Sequence, residues 1–262
     1  MMISVVAFLT DFGVTDWYVA AMKGSVLSRA PESTLVDLSH SVPPGDLAHA
    51  DFLLEQTWRW FPPESVFVVI VDPGVGTGRR PIAVRAADRM FVGPDNGVLT
   101  SALEEPGADV RVIDAERLQA VVLSATFHGR DLFAPAAAAL AESAAFSSIG
   151  ELTSDAVRLP RSRPSLNGDR GEAHVVYVDR FGNAITDVRE TELREWLDGG
   201  QLRVRAGSAE IDGLSRTYGD APAGTAMALI GSTGRLEIAV AQAHAGTRLG
   251  LAPGMAVTLL RG

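Results

Sequence analysis

Five segments of this 262-residue chain combine residue types that can move protons or hold a polar ligand. An apolar run, Val66 to Val71, ends in Asp72-Pro73-Gly74-Val75-Gly76, with Arg79 seven residues past the aspartate. Thr126-Phe127-His128-Gly129-Arg130-Asp131 precedes an alanine-rich stretch. Two short apolar runs end in Thr10-Asp11-Phe12-Gly13 and Asp37-Leu38-Ser39-His40, and Met90 to Val92 leads into Gly93-Pro94-Asp95-Asn96-Gly97. Carboxylates, an arginine and a histidine gathered on one sheet edge form a pocket suited to acid/base work or water activation. An aspartate after a strand also serves as a helix cap or turn former. That is the reading for Asp37, Asp46 and Asp131, while Asp11 stands open between the two.

Other chemistries fail on the residues. The glycines at 74, 76 and 78 do not fit the dinucleotide fingerprint, and no Gly-Lys-Ser/Thr follows, so no nucleoside-triphosphate loop is expected. Asp11-Phe12-Gly13 mimics a kinase motif, yet the ten residues before it cannot supply the lobe that motif needs. The five histidines lack metal-ligand spacing, and His49, His174 and His244 read as surface or packing residues. No cysteine is present, which removes disulfides, thiolate metal sites and thiol nucleophiles together. The net charge of −9 and the lack of a concentrated basic surface argue against nucleic acid. Lys23 is the only lysine among 23 basic residues, hence the only candidate for Schiff-base chemistry. No apolar run approaches bilayer length, and Met1 to Leu9 carries no basic leader, so neither a membrane span nor a signal peptide is expected. A cytoplasmic protein fits these features.

The elements that must position these residues change character along the chain. Ser4 to Leu9, Thr34 to Leu38, Val66 to Val71, Ile82 to Arg85, Met90 to Val92 and Val110 to Ile113 read as strands. Val66 to Val71, apolar at every position, marks a central strand covered on both faces. Val19, Met22, Val26 and Ala30 make one apolar helix face within residues 16–30. A second helix starts at Asp46, with Leu47, Ala50, Leu54, Trp58 and Phe61 on one stripe, and a third covers about 131–143. This alternation predicts an α/β domain over residues 1–156, with a mostly parallel sheet between helices. Residues 157–172, rich in Arg, Pro, Gly, Ser and Asn, read as a linker. Residues 173–262 then show strand alternation without long helices: 175–178, 183–188, 202–205, 225–230, 236–240 and 255–259. Leu236, Ile238 and Val240 alternate with Glu237 and Ala239, and Gly231-Ser232-Thr233-Gly234 forms a turn, so a smaller, antiparallel all-β domain is expected. In an open α/β sheet ligands collect beyond the strands' carboxyl ends, where the polar loops lie. These residues alone point to a hydrolase or transferase acting on a small polar ligand, with a Mg²⁺-dependent phosphatase as rival.

Eight of these pieces, in order, resemble a known family. They are Thr10 to Gly13 with Asp16; Tyr18 to Gly24; Asp37 to His40; Val71 to Thr77; Pro94 to Gly97; Thr126 to Asp131; Asp179-Arg180-Phe181-Gly182-Asn183; and Ser232 to Ala239. The chain is similar to the S-adenosyl-L-methionine hydroxide adenosyltransferases, the water-using relatives of fluorinase and chlorinase. The halogenating branch carries an aromatic residue where Gly45 stands, Tyr or Gly at Asp72 and a Tyr-like residue at His128. Fluorinases also insert a loop near Ala86 to Asp88. The resemblance therefore implies the hydrolytic branch.

The same resemblance implies an activity and a site. The reaction is hydrolysis of S-adenosyl-L-methionine to adenosine and methionine, with no metal and no cofactor, and with Asp72, Arg79 and His128 catalytic. Asp11 resembles the ribose-diol ligand. Asp179 and Ser232 resemble the residues holding the methionine end, and Phe181 and Asn183 those meeting adenine; Phe127 and Asn96 complete the substrate set. Phe181 has a second reading as a core aromatic of the β domain. Ala241 stands where Asn is usual, and Ala243-His244 where Gly-Asn is usual, next to the adenine contact. The family assembles as a homotrimer with active sites at subunit interfaces. A metal-dependent phosphohydrolase and a non-catalytic S-adenosylmethionine or adenosine binder are the alternatives.

Overall fold

The computed structural model describes residues 4–262, so the first three residues of the apolar start lie outside the described residues. The chain divides into two compact units, Met1–Leu159 and Pro160–Gly262.

The first unit builds β1 (Val5–Thr10), α1 (Tyr18–Leu27), β2 (Thr34–Ser39), α2 (Leu47–Thr57), β3 (Val66–Ile70), β4 (Pro81–Ala86), β5 (Arg89–Pro94), α3 (Thr100–Leu103), β6 (Asp109–Ile113), α4 (Ala134–Ala141) and β7 (Gly150–Leu152). The strands form one sheet in the order β2-β1-β3-β5-β4-β6-β7. Side chains alternate across a strand. Val6 and Phe8 of β1 and Val66, Val68 and Ile70 of β3 accordingly meet Met22, Val26 and the α4 alanines on one face. Ala7, Leu9, Phe67 and Val69 meet Ala50, Leu54, Ala102 and Leu103 of α2 and α3 on the other. The all-apolar sequence of β3 thus has its physical reason: both faces are covered.

The sheet is mixed rather than mostly parallel. Pairings β1–β2, β1–β3 and β3–β5 are parallel, while β4–β5, β4–β6 and β6–β7 are antiparallel. The cause is local. Only Ala87 and Asp88, both at positive φ (45° and 59°), separate β4 from β5. Two residues make a hairpin turn, whereas a parallel return needs a crossover of a dozen or more. The expected third helix also begins differently, with a π-helical turn, Gly129–Phe133, before α4.

The second unit contains β8 (Ser165–Asn167), β9 (Arg170–Val178), β10 (Ala184–Arg189), α5 (Glu190–Leu197), β11 (Leu202–Ala206), β12 (Ala209–Asp212), β13 (Ala226–Ile230), β14 (Arg235–Val240), α6 (Ala245–Leu249) and β15 (Ala256–Arg261). Its sheet is antiparallel throughout in the order β12-β11-β15-β9-β10-β14-β13, with β8 on β9. The edge strands β12 and β13 touch, so the sheet curls toward a barrel. The stretch read as a linker is ordered at both ends. Val157 N–H donates to Asp95 (2.7 Å), and residues 165–167 and 170–172 lie in strands. Helix α5, eight residues long, lies within the domain expected to be all-β. Its start is closed by Glu192, which accepts from Arg189 N–H at 2.8 Å, and it buries Leu193 and Trp196. Among the described residues no helix is long and apolar enough to cross a membrane.

Candidate active site

Strand β3 ends at Ile70, and the ten-residue segment 71–80 must pass over the end of β5 to start β4, because β5 lies between them in the sheet. That segment is a stack of turns. Val75 N–H returns to Asp72 C=O (3.2 Å), Thr77 N–H to Gly74 C=O (3.1 Å), and the Thr77 hydroxyl to the same carbonyl (2.6 Å). The turns fold Arg79 back over Asp72. Arg79 Nε donates to both carboxylate oxygens, at 3.0 and 2.9 Å, and its Nη2 makes a further ion-pair contact with Oδ2. From the other direction, Arg79 Nη2 donates to His128 Nδ1 at 3.0 Å. The Arg79 and Asp72 side chains retain only 9% and 5% of their exposure, so this is a buried, charge-assisted pair.

The loop carrying His128 is held by groups to which the sequence pattern gave other roles. Asp131 is no helix cap. Its Oδ2 accepts from Leu123 N–H (3.0 Å) and Ser124 N–H (2.9 Å), and its carboxyl pairs with Arg130. Burial pushes the Asp131 carboxyl up, but the Arg130 and backbone hydrogen bonds outweigh it and hold the group below the usual range. Gly129 fits because a Cβ there would lie 3.0 Å from Met22 Sδ. Gly76, at φ +77°, brings the Asp72 loop so close to the His128 loop that a Cβ would sit 2.9 Å from Ala125 O.

Burial, followed by the Arg79 charge, lowers the pKa of His128, with Asp72 and Asp131 opposing less strongly. A neutral ring whose Nδ1 accepts from Arg79 carries its proton on Nε2. Their mutual hydrogen bonds therefore leave one donor, His128 Nε2–H, and part of the Asp72 lone-pair capacity unused. Among the described residues, no three His, Asp or Glu side chains converge as a metal site would require.

The remaining expected residues divide by unit. In the first, Asp11 Oδ2 accepts from Gly45 N–H at 2.9 Å, leaving its other oxygen for a ligand. Asn96 is committed to backbone: Nδ2 donates to Val71 O (2.9 Å) and Oδ1 accepts from Val98 N–H (3.1 Å). It secures the chain just before Asp72. Phe127 is buried and packs edge-on against Phe12 and Tyr18, with ring centroids 6.2 and 5.1 Å away. Asp46 alone among the aspartates read as caps does cap a helix, accepting from His49 N–H at 3.0 Å. Asp37 instead bridges Lys23 and His40.

In the second unit, Asp179 accepts from Asn183 N–H (2.8 Å) and from its side-chain amide (3.1 Å), closing the turn between β9 and β10. Phe181 at the tip of that turn is 78% exposed, which overturns its reading as a core aromatic. Ser232 is exposed in the β13–β14 turn. His244 caps α6, accepting from Thr247 N–H at 3.1 Å, and lies so close to Gly182 (φ +93°) that a Cβ there would meet its ring at 2.2 Å. Sequence alternation placed Glu237 on an open face, yet it is buried. Strand β14 is covered on both sides, Leu236 and Ile238 packing in the main core and Ala239 in a second cluster with Met227 and Leu229. Glu237 accepts from Tyr218 O–H at 2.6 Å, and burial pushes its carboxyl up. Tyr218 lies outside every motif, and Glu237 falls within the Ser232 to Ala239 piece without having been given a role.

Models of the SAM hydroxide adenosyltransferase N-terminal and C-terminal domains match residues 6–150 and 173–258. The chain belongs to this family. A Thermus thermophilus protein named (R)-S-adenosyl-L-methionine hydrolase is 40% identical over 97% of this chain and 99% of its own length. A Nocardia brasiliensis fluorinase is more distant, at 28% identity over 90% of this chain and 89% of its own. A crystal structure of an uncharacterized conserved protein from Thermotoga maritima superposes with a TM-score of 0.91 at 33% identity, covering 98% of this chain and all of that one. Membership of the family thus rests on both units.

Proposed function

We propose that this chain hydrolyses S-adenosyl-L-methionine to adenosine and L-methionine, without metal or cofactor. The carrying observation is the contact of Asp72, Arg79 and His128, drawn from two separate loops, in a member of a family with water-using relatives. The water oxygen accepts from His128 Nε2–H and donates a hydrogen toward Asp72. It attacks ribose C5′ in line with the C–S bond; the bond's electron pair goes to sulfur, and one proton leaves by way of Asp72 to solvent. Arg79 keeps Asp72 and His128 in register and stabilises the developing hydroxide. The sulfonium already supplies a neutral leaving group, so positioning, worth on the order of 7–11 kcal/mol in favourable cases, can carry much of the rate.

Asp11 takes the ribose diol through its uncommitted oxygen. Asp179 and Ser232 hold the methionine end, and Phe181 and Asn183 meet the adenine. The exposure of Phe181 suits a contact with a ligand better than a packing role. Asn96 and Phe127, committed to backbone and aromatic neighbours, support the site from behind. The protein acts in the cytoplasm as a homotrimer with active sites at subunit interfaces.

Protein incubated with only S-adenosylmethionine and buffer should release adenosine and methionine in equal amounts. EDTA should leave the rate unchanged, and added chloride or fluoride should yield no 5′-halo-adenosine. Loss of activity in EDTA would favour a metal-dependent hydrolase, and tight binding without product a non-catalytic binder. Light scattering on the same sample should give three times the 27.7 kDa chain.

Protonating His128 would remove the acceptor used by Arg79 and set two cations side by side. Because its pKa is lowered, the neutral form persists to a pH below the ordinary imidazole value of about 6.5. Turnover should stay level from neutral to mildly alkaline pH and fall only below that value, and His128→Asn should lack the step. A midpoint above the ordinary value would contradict this role.

A further inference from the structure

The segment Asp37-Leu38-Ser39-His40 has no part in the chemistry above, yet its polar atoms form a continuous chain. Lys23 Nζ donates to Asp37 Oδ2 at 2.6 Å. Asp37 Oδ1 lies 2.8 Å from His40 Nε2, and His40 Nδ1 lies 2.8 Å from Thr10 Oγ1. Thr10 Oγ1 also accepts from Phe12 N–H at 3.2 Å. One assignment uses each group once: Thr10 O–H donates to Nδ1, and Nε2–H donates to Asp37. The chain runs from half-exposed Lys23 and exposed Asp37 inward to His40 (5% exposed) and fully buried Thr10.

The backbone is bent to make this contact. The β1–β2 ladder pairs Phe8 with Asp37 but Leu9 with Ser39, so β2 carries one extra residue at Leu38. Such a bulge re-aims the side chains beyond it, and here His40 arrives beside Thr10. His40 C=O then accepts from Gly13 N–H at 2.8 Å, so both its ring and its backbone grip the turn containing Asp11. On the far side, Gly45 N–H holds Asp11 Oδ2 at 2.9 Å. Sheet pairing stops at Thr10. Beyond it, these side-chain bonds set the turn.

We propose that Thr10, His40 and Asp37, closed by Lys23, form a positioning relay that sets Asp11 for a vicinal diol, so that diol selectivity depends on residues that do not touch the ligand. This rests on the reading of Asp11 as the ribose ligand. Thr10 is buried beneath the turn and is therefore no nucleophile, despite its resemblance to a hydroxyl–histidine–carboxylate triad. Partial desolvation of Asp37 opposes its ionisation, but the hydrogen bonds from Lys23 and His40 outweigh this and hold its carboxyl below the usual range, which secures the relay's outer end.

The test compares binding of adenosine and 2′,3′-dideoxyadenosine to the intact protein by calorimetry. Thr10→Val keeps the shape and removes the hydroxyl. It should weaken adenosine about tenfold, the scale of one lost hydrogen bond to a polar network, and leave dideoxyadenosine unchanged. Thr10→Ser should restore the difference, and His40→Ala should reproduce its loss. Equal weakening of both ligands, or an undiminished preference for adenosine in Thr10→Val, overturns the relay. If the wild type itself shows no preference, the diol reading of Asp11 falls, and the relay with it.

Discussion

Asp72→Ala should lower the rate of adenosine release by about 10²–10⁴-fold, the usual contribution of a placed proton acceptor. The same change strands Arg79. Its guanidinium is nine-tenths buried against Asp72 and Phe133, and removing one partner of such a pair costs about 3–5 kcal/mol of stability. Two effects are thus mixed in one variant. Asp72→Asn separates them, since the amide retains shape and one acceptor for Arg79 while losing most basicity. Asn should therefore melt closer to the wild type than Ala does and still be nearly inactive. An Asn variant that turns over at the wild-type rate would remove Asp72 from the chemistry and leave it a purely structural partner of Arg79.

Gly76→Ala should cost about 10²-fold in turnover, the scale of an ångström-level misplacement of catalytic groups. The glycine adopts φ +77°, and its missing Cβ would lie 2.9 Å from Ala125 O, a backbone atom that cannot rotate away. Relief requires the Asp72 loop and the His128 loop to separate, and the 3.0 Å bond between Arg79 and His128 spans that gap. Strain at a positive-φ position adds a stability loss on the order of 1–3 kcal/mol. Gly78→Ala is the matched control: it lies two residues on, with open space around it and no positive φ. Steady-state turnover and thermal melting of the two variants decide the matter. Wild-type turnover in Gly76→Ala would mean that the close approach of the loops is not needed for catalysis.

The partition between sequence and tertiary structure arises from the range of the forces involved. Apolar periodicity is local, so it located β1, β2 and β3 within a residue or two and put Met22 and Val26 on the buried face of α1, although that helix stops at Leu27, three residues short of Ala30. The Asp46 cap also stands where the pattern put it. Composition excluded thiol chemistry outright. Ordered motifs in both halves pointed to the family and to Asp72, Arg79 and His128 before any distance was known. Local pattern was silent where the outcome hung on partners distant in the chain. A two-residue turn at Ala87-Asp88 reversed β5 against β4 and made the sheet mixed. A second covering cluster buried Glu237 on a strand face that alternation had left open.

The aspartates show the same boundary residue by residue. Asp46, Asp37 and Asp131 look alike in sequence, each a carboxylate near an element's end. Asp46 caps its own helix three residues on, a contact within reach of local reasoning. Asp131 reaches back seven and eight residues to hold the His128 loop, and Asp37 reaches Lys23 on another element. Residue type determined that these side chains would accept hydrogen bonds. Which donors Asp37 and Asp131 met was decided by the packing of α1 onto the sheet and by the course of the loop over residues 123–131, because a hydrogen bond is satisfied by whatever donor tertiary structure brings within about 3 Å.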